Sequence, residues 1–280
     1  MIDLKSKILN LPSLRTITTA HNLIPYRALG QNFLFDLNLT RKIAKAANFS
    51  SNETIIEIGP GPGGLTRSLL LEGAGNIIAI EKDTRAISAL AELVAIANGK
   101  LILLNEDALK VSLTKMGASP RRIIANLPYN IATKLIIEWL RTPAAFQSIT
   151  VMVQKEVAMR ICAEPKTSEY GRLSIITQWL AHTRILFDVP SSAFYPSPKV
   201  TSTLIEIIPR REPLFLADRK SLETITAFAF GQRRKMLRSS LKKIGGEHLL
   251  NATNIDPIKR PEELSIEDFC RLARAYAKTS

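Results

Sequence analysis

Thr54-Ile55-Ile56-Glu57-Ile58-Gly59-Pro60-Gly61-Pro62-Gly63-Gly64 is the stretch on which the fold turns. Its first five residues are mostly β-branched and apolar and predict a short buried strand. Gly59, Gly61 and Gly64 follow in GxGxxG spacing, and residues 64–72 carry a helical pattern. A glycine-rich turn between a strand and a helix marks the ligand-binding corner of doubly wound α/β proteins. The alternation extends outward from this corner. Asp36-Leu37-Asn38-Leu39-Thr40 caps and opens a predicted helix through Ala47. Strands are predicted over 76–80, 100–104, 122–125 and 149–153, with helices over 85–97 and 133–141. This order implies a parallel α/β sheet with crossover helices. After Val189 the texture changes. The proline-rich Phe194-Tyr195-Pro196-Ser197-Pro198 precedes an alternating strand over 200–208, and from Pro209 onward only helices and turns are predicted. The expected organisation is an N-terminal extension (1–25), a sheet domain (26–208) and a small C-terminal helical domain (209–280).

Composition narrows the classes. The chain has 280 residues, 46% of them hydrophobic and 22% charged, which is globular rather than disordered. No apolar run reaches the ~18–20 residues of a membrane span. Cys162 and Cys270 are too far apart for a CxxC site and too few for a disulfide framework. His21, His182 and His248 are scattered, so no His/Cys metal cluster is expected. Lys and Arg total 38 against 25 Asp and Glu, a net charge of +13. That excess fits a polyanionic partner, with a solvated basic surface as the alternative. Met1 to Ala20 lacks the apolar core of a signal peptide and contains Asp3 and Pro12. A soluble, cytoplasmic monomer is expected.

The glycine loop has acidic companions. Glu81 lies 22 residues after Gly59 at the end of the next strand, where such an acid bonds a ribose diol. Pro60 and Pro62 remove two backbone N–H donors that a pyrophosphate would use. S-adenosylmethionine needs no phosphate cradle, and its sulfonium and ammonium charges tolerate the nearby Glu57. Asp107 follows the strand over 100–104, where an adenine amino group could donate to it. Asp107 alone is more often a helix cap or turn residue. Together these acids favour a Rossmann-like, S-adenosylmethionine-dependent sheet domain.

After the fourth strand comes Asn126-Leu127-Pro128-Tyr129. Here the chain resembles the N6-adenine methyltransferases. An adenine N6 lone pair is delocalised into the ring and is a poor nucleophile. The Asn126 side-chain carbonyl and the Leu127 backbone carbonyl can accept both amine hydrogens and localise that pair. Pro128 restricts Leu127 to an extended conformation and so aims its carbonyl. Tyr129 offers a ring for a base taken out of its stack. The bland reading of this tetrapeptide is a strand-ending turn.

Further motifs sharpen the resemblance. Gln31-Asn32-Phe33-Leu34, Asn126 through Thr133, Gln154-Lys155-Glu156-Val157, Tyr170-Gly171-Arg172-Leu173-Ser174 and Phe194 through Val200 occur in one order. The chain from about residue 27 to its end is similar to the KsgA/RsmA family of small-subunit ribosomal RNA adenine dimethyltransferases. The resemblance implies that Asn32 and Leu34 close over the methionine end of the cofactor. Gly59 and its neighbour Gly61 admit that end to the loop, Glu81 binds the ribose and Asp107 meets the adenine. Asn126 contacts cofactor and target, while Phe194 forms a second aromatic wall opposite Tyr129. The implied partner is small-subunit rRNA in a pre-30S particle.

The helical tail holds 15 Lys/Arg against 9 Asp/Glu. Within it, 233–243 contains Arg233, Arg234, Lys235, Arg238, Lys242 and Lys243 and no acid. If the run is one helix, Arg234, Arg238 and Lys242 form a stripe and Met236, Leu237, Leu241 and Ile244 face the core. Like charges on one stripe repel by ~0.2–0.5 kcal/mol per pair, which an RNA backbone would relieve. RNA contact is therefore expected through Arg233, Arg234, Lys235, Arg238 and Lys242, against the alternative of a solvated face. Three other functions stay open: a large-subunit rRNA dimethyltransferase, a mitochondrial relative that doubles as a transcription factor, whose first 25 residues would be a transit peptide, and a mainly non-catalytic pre-ribosome assembly factor.

Overall fold

A computed structural model describes residues 3–26 and 30–279. In chain order the elements are α1 (Leu4–Leu9), α2 (Leu14–Ala20), β1 (Phe33–Leu34), α3 (Leu37–Ala46), β2 (Thr54–Ile58), α4 (Gly64–Leu71), β3 (Asn76–Glu81), α5 (Thr84–Ala89), α6 (Ala91–Ala97) and β4 (Leu101–Asn105). Then come β5 (Arg121–Asn126), α7 (Ala132–Trp139), β6 (Ser148–Gln154), α8 (Lys155–Cys162), α9 (Arg172–Leu180), β7 (Ala181–Val189), β8 (Phe194–Tyr195) and β9 (Ser202–Pro209). The tail holds α10 (Arg219–Gly231), α11 (Leu237–Ser240), α12 (Gly246–Ala252) and α13 (Ile266–Ala277). No helix among the described residues is long and apolar enough to cross a membrane.

The main sheet runs β4-β3-β2-β5-β6-β9-β7. Strands β4 to β6 pair in parallel, and β9 is antiparallel to β6. Every residue of β2 is buried, as expected of a parallel strand covered on both faces. Ile56 of β2 stands between Ile78 and Ile123, so the centre of the sheet is an aliphatic layer. Strand order reverses between β2 and β5, and at such a switch point the carboxyl ends of the strands open a crevice. Asp36 caps α3, its side chain accepting from the Asn38 N–H. The helix expected over 85–97 is broken at Leu90, which caps both α5 and α6.

Contacts divide the chain into two units, Met1–Lys155 with Arg184–Pro209, and Glu156–Thr183 with Arg210–Ser280. A single cut at 208/209 therefore misassigns 156–183. The reason lies in the second unit's own packing. Trp179 Nε1 donates to the Phe215 carbonyl at 2.7 Å, and the Lys166 N–H donates to the Glu262 carbonyl at 2.7 Å. Phe230 of α10 stacks on Phe269 of α13 and meets Tyr170 edge-on. Sequence distance hid these pairings. The described part of the N-terminal extension, from residue 3, packs into the first unit. Ile8, Leu14, Ile17 and Leu23 are buried in the first unit, and Arg67 of α4 donates to the Pro12 carbonyl at 2.9 Å.

Candidate active site

The crevice collects residues from the ends of β2, β3 and β5, from the turn after β4 and from the segment that ends in β1. It spans about 1160 Å³, open solvent at its mouth included. Asn32, Leu34, Gly59, Gly61, Glu81, Asp107, Asn126, Leu127 and Tyr129 all line it. Residues separated by almost a hundred positions thus meet, because a parallel sheet delivers every strand's carboxyl end to one edge.

The loop's shape depends on its glycines. Gly61 has φ +54°, and a Cβ there would stand 3.0 Å from the Phe33 ring. At Gly64 the obstacle is backbone, the Leu34 carbonyl oxygen at 2.7 Å. The loop's N–H groups are already engaged. Gly59 donates to the Ile80 carbonyl, Gly63 to the Pro60 carbonyl and Gly61 to Glu81 Oε2. Pro60 and Pro62 have none. Among the N–H groups of residues 59–63 nothing remains to cradle a pyrophosphate, whereas a ligand without phosphates loses nothing here.

Three carboxylates flank the loop. Glu57 is fully buried, and burial pushes its carboxyl up to about 8 although Thr66 Oγ1 donates to it at 2.7 Å. Glu81 Oε1 accepts from the N–H groups of Lys82 and Asp83 at 2.8 Å, and Oε2 from Gly61 at 3.2 Å. Burial raises the Glu81 carboxyl above its ordinary range against these three bonds. Oε2 keeps a free lone pair for a ribose hydroxyl. Asp107 is held below the usual range, chiefly by Lys82, whose Nζ lies 2.9 Å from Oδ2. Oδ1 accepts from the Leu109 N–H, so Asp107 shapes its own turn while facing the crevice. Lys82 was not legible as a site residue; its only signal was adjacency to Glu81.

At the far wall, Asn126 Nδ2 donates to the Asn32 carbonyl at 3.0 Å. That bond commits the amide nitrogen and leaves Oδ1 as the acceptor. The Tyr129 hydroxyl pairs with Ser202 Oγ, and burial raises its pKa. Gln31 ties the wall's N-terminal segment down. Its Nε2 donates to Asp83 Oδ2, and its Oε1 accepts from the Tyr26 N–H. Phe194 is the exception among the expected residues. It pairs with Leu34 across β1 and β8, is 5% exposed and belongs to the aliphatic core. It is not among the residues lining the crevice with Tyr129, because strand alternation turns it inward and leaves Tyr195 exposed.

The basic run also departs from the expected geometry. It is not one helix. The N–H groups of Leu237 and Arg238 donate to the Lys259 and Pro257 carbonyls, which removes them from any helix begun at 233. Arg234 therefore sits in a turn, Arg238 in the short α11 and Lys242 in a single 3-10 turn. Leu237 and Leu241 are buried, but Met236 is exposed. Lys235, Arg238, Lys242 and Lys243 line one shallow concavity with Gln232 and Ser239. Glu247 stands on its rim, 3.9 Å from Arg238. Arg233 turns away to the Thr167 carbonyl, and Arg234 is exposed outside the concavity.

Glu57 carries a testable consequence. A carboxyl raised in the folded state holds its proton more tightly than in the unfolded chain. Stability from it is present at low pH and is lost as pH rises from the ordinary carboxylate range through about 8. The thermal midpoint of the unliganded protein should fall from pH 5 to 8.5 relative to Glu57→Gln. Parallel pH curves for the two proteins would show that Glu57 is ionised throughout.

Known proteins bear the same pattern. A family model described as ribosomal RNA adenine dimethylase matches residues 26–278. The ribosomal RNA small subunit methyltransferase A of Rhodospirillum rubrum is 54% identical over 266 residues, covering 95% of this chain and 92% of the relative. That of Paramagnetospirillum magneticum is 53% identical over 267 residues, covering 95% of each. Among solved structures, a dimethyladenosine transferase from Plasmodium falciparum superposes with a TM-score of 0.74 at 26% identity, covering 88% of this chain and 98% of that one. The 23S rRNA methyltransferase ErmE gives 0.66 at 25% identity, with 88% and 100% covered. A match of that length, with relatives more than half identical, settles the placement: this chain belongs to the ribosomal RNA adenine dimethylase family.

Proposed function

We propose that this protein transfers methyl groups from S-adenosylmethionine to N6 of two adjacent adenosines, in a hairpin loop near the 3' end of small-subunit rRNA. It acts as a cytoplasmic monomer on a pre-30S particle. The small-subunit assignment rests on what the half-identical relatives are named for. The observation that carries the chemistry is the Asn126–Asn32 bond, which engages Nδ2 and leaves Oδ1 to accept, on a residue lining the crevice that also holds the three acids.

The crevice fits the cofactor: its loop has no spare phosphate donors, and its acids suit a cation with a ribose and an adenine. Glu81 would hold the ribose hydroxyls, Asp107 the adenine amine, and Gly59, Gly61, Asn32 and Leu34 the methionine end. When bound, S-adenosylmethionine supplies an electrophilic methyl on a positive sulfur. Asn126 Oδ1 and the Leu127 carbonyl accept the two hydrogens of the target amine and draw its lone pair out of ring conjugation. Tyr129 stacks on the extruded base. Lys235, Arg238 and Lys242, joined by the exposed Arg234, contact RNA phosphates.

Incubation of unmethylated small-subunit particles with labelled cofactor, followed by mapping of the label, tests the reading. Four methyl groups on two neighbouring adenosines are expected. Label confined to large-subunit RNA or to cytosine would overturn it. Glu81→Gln should weaken cofactor binding about 10- to 100-fold, the scale of a charged hydrogen bond, in calorimetric titration. It is cleaner than alanine: glutamine can keep the Lys82 and Asp83 N–H bonds and loses only that of Gly61, whereas alanine would strand all three.

A further inference from the structure

The aromatic ring of the Asn126–Tyr129 corner is anchored from behind. The Tyr129 hydroxyl and Ser202 Oγ are 2.5 Å apart. Ser202 opens β9, is fully buried and stands opposite Gln154 of β6. Among the described residues each hydroxyl is the other's sole hydrogen-bond partner. A buried hydroxyl without a partner is costly, so the pair is held together. The bond ties the turn after β5, across β6, to a strand inside the sheet. A tyrosine side chain has two main torsions. Tethering its far oxygen to a rigid strand fixes the first, and with it where the ring stands; the oxygen lies on the axis of the second, so the ring's tilt is left to the packing around it. Tyr129 lines the crevice and Ser202 does not, so Ser202 reaches the reaction only through that ring.

We propose that Ser202 is a positioning residue for methyl transfer, holding the Tyr129 ring at the place where the target base stacks. The inference rests on the stacking role given to Tyr129 above. The ring is then preorganised before the base arrives, and the amine is delivered to Asn126 and Leu127 in attacking geometry. Tyr129's hydroxyl is committed to the protein, which leaves the ring face as its surface for substrate.

Steady-state methylation of small-subunit particles by Ser202→Ala, Ser202→Thr, Tyr129→Phe and the Ser202→Ala/Tyr129→Phe pair tests this. Ser202→Ala and Tyr129→Phe should each lower kcat about 3- to 10-fold, the scale of one hydrogen bond. KM for S-adenosylmethionine should stay unchanged. The double variant should be no slower than either single, and Ser202→Thr, which keeps the hydroxyl, should recover most of the rate. Wild-type kcat in Ser202→Ala, multiplying losses in the double variant, or a threonine variant as slow as alanine would each overturn the proposal. If Ser202→Ala does not fold, Tyr129→Phe breaks the same bond from its half-exposed side, and wild-type kcat there overturns the proposal alone. Tyr129→Ala separates the two levels. If it methylates at the normal rate, the stacking role itself fails, and with it the positioning of Tyr129. If it is inactive while Ser202→Ala is normal, only the positioning by Ser202 fails.

Discussion

Asn126→Ala is expected to slow methylation by about 100- to 1,000-fold, the range seen when one preorganised transition-state contact is removed. Binding of small-subunit particles should persist, since the tail's basic concavity is untouched. Cofactor affinity should fall by less than the rate, because Glu81, Asp107 and the glycine loop all remain. The loss has two parts. Asn126 Oδ1 no longer accepts from the target amine, and Asn126 Nδ2 no longer secures the Asn32 carbonyl in the crevice wall. Single-turnover rates at saturating cofactor, with separate particle-binding curves, measure both. A near-normal rate at saturation would remove Asn126 from the acceptor role.

Changing Lys235, Arg238 and Lys242 together to Ala is expected to flatten the salt dependence of particle binding by about two to three units of slope. Each neutralised phosphate contributes about 0.7–0.9. These side chains share one concavity, so they can engage neighbouring phosphates at once. Arg234 is exposed outside it and should contribute separately, with a slope change of about one unit or less. Stacking on Tyr129 is worth ~1–3 kcal/mol per base and is sequence-tolerant, so it cannot supply the affinity for a particle. The measurement is binding across a salt series for wild type and triple variant, with cofactor affinity as the control that should not move. Parallel salt lines with equal intercepts would return the cluster to a solvated surface.

Much of this protein is local in its chain. The strand–glycine–helix corner, the strands β2 to β6 and the capped helix α3 follow from periodicity and turn chemistry within a dozen residues. Glu81 and Asp107 were legible because a parallel sheet repeats its rule, an acid after a strand, at each carboxyl end. Asn126-Leu127-Pro128-Tyr129 stood out by its resemblance to the N6-adenine methyltransferases, and all four residues line the crevice. What failed depended on partners far away in the chain. Phe194, which only the family resemblance sets opposite Tyr129, packs in the core beside Leu34, its partner across β1 and β8. The basic run reads as a helix until the 257–259 loop takes its N–H groups. Residues 156–183 read as part of the sheet domain until Trp179 and Lys166 find the tail. Ser202 has no sequence signal at all, since one serine at a strand start resembles any other. The sequence by itself determined the strands β2 to β6 and the sheet class, because those rest on propensity and short-range sterics. Tertiary structure decided which hydroxyl holds Tyr129, which cations share a surface and which aromatic is buried, because each is settled by a competing partner that lies elsewhere in the chain.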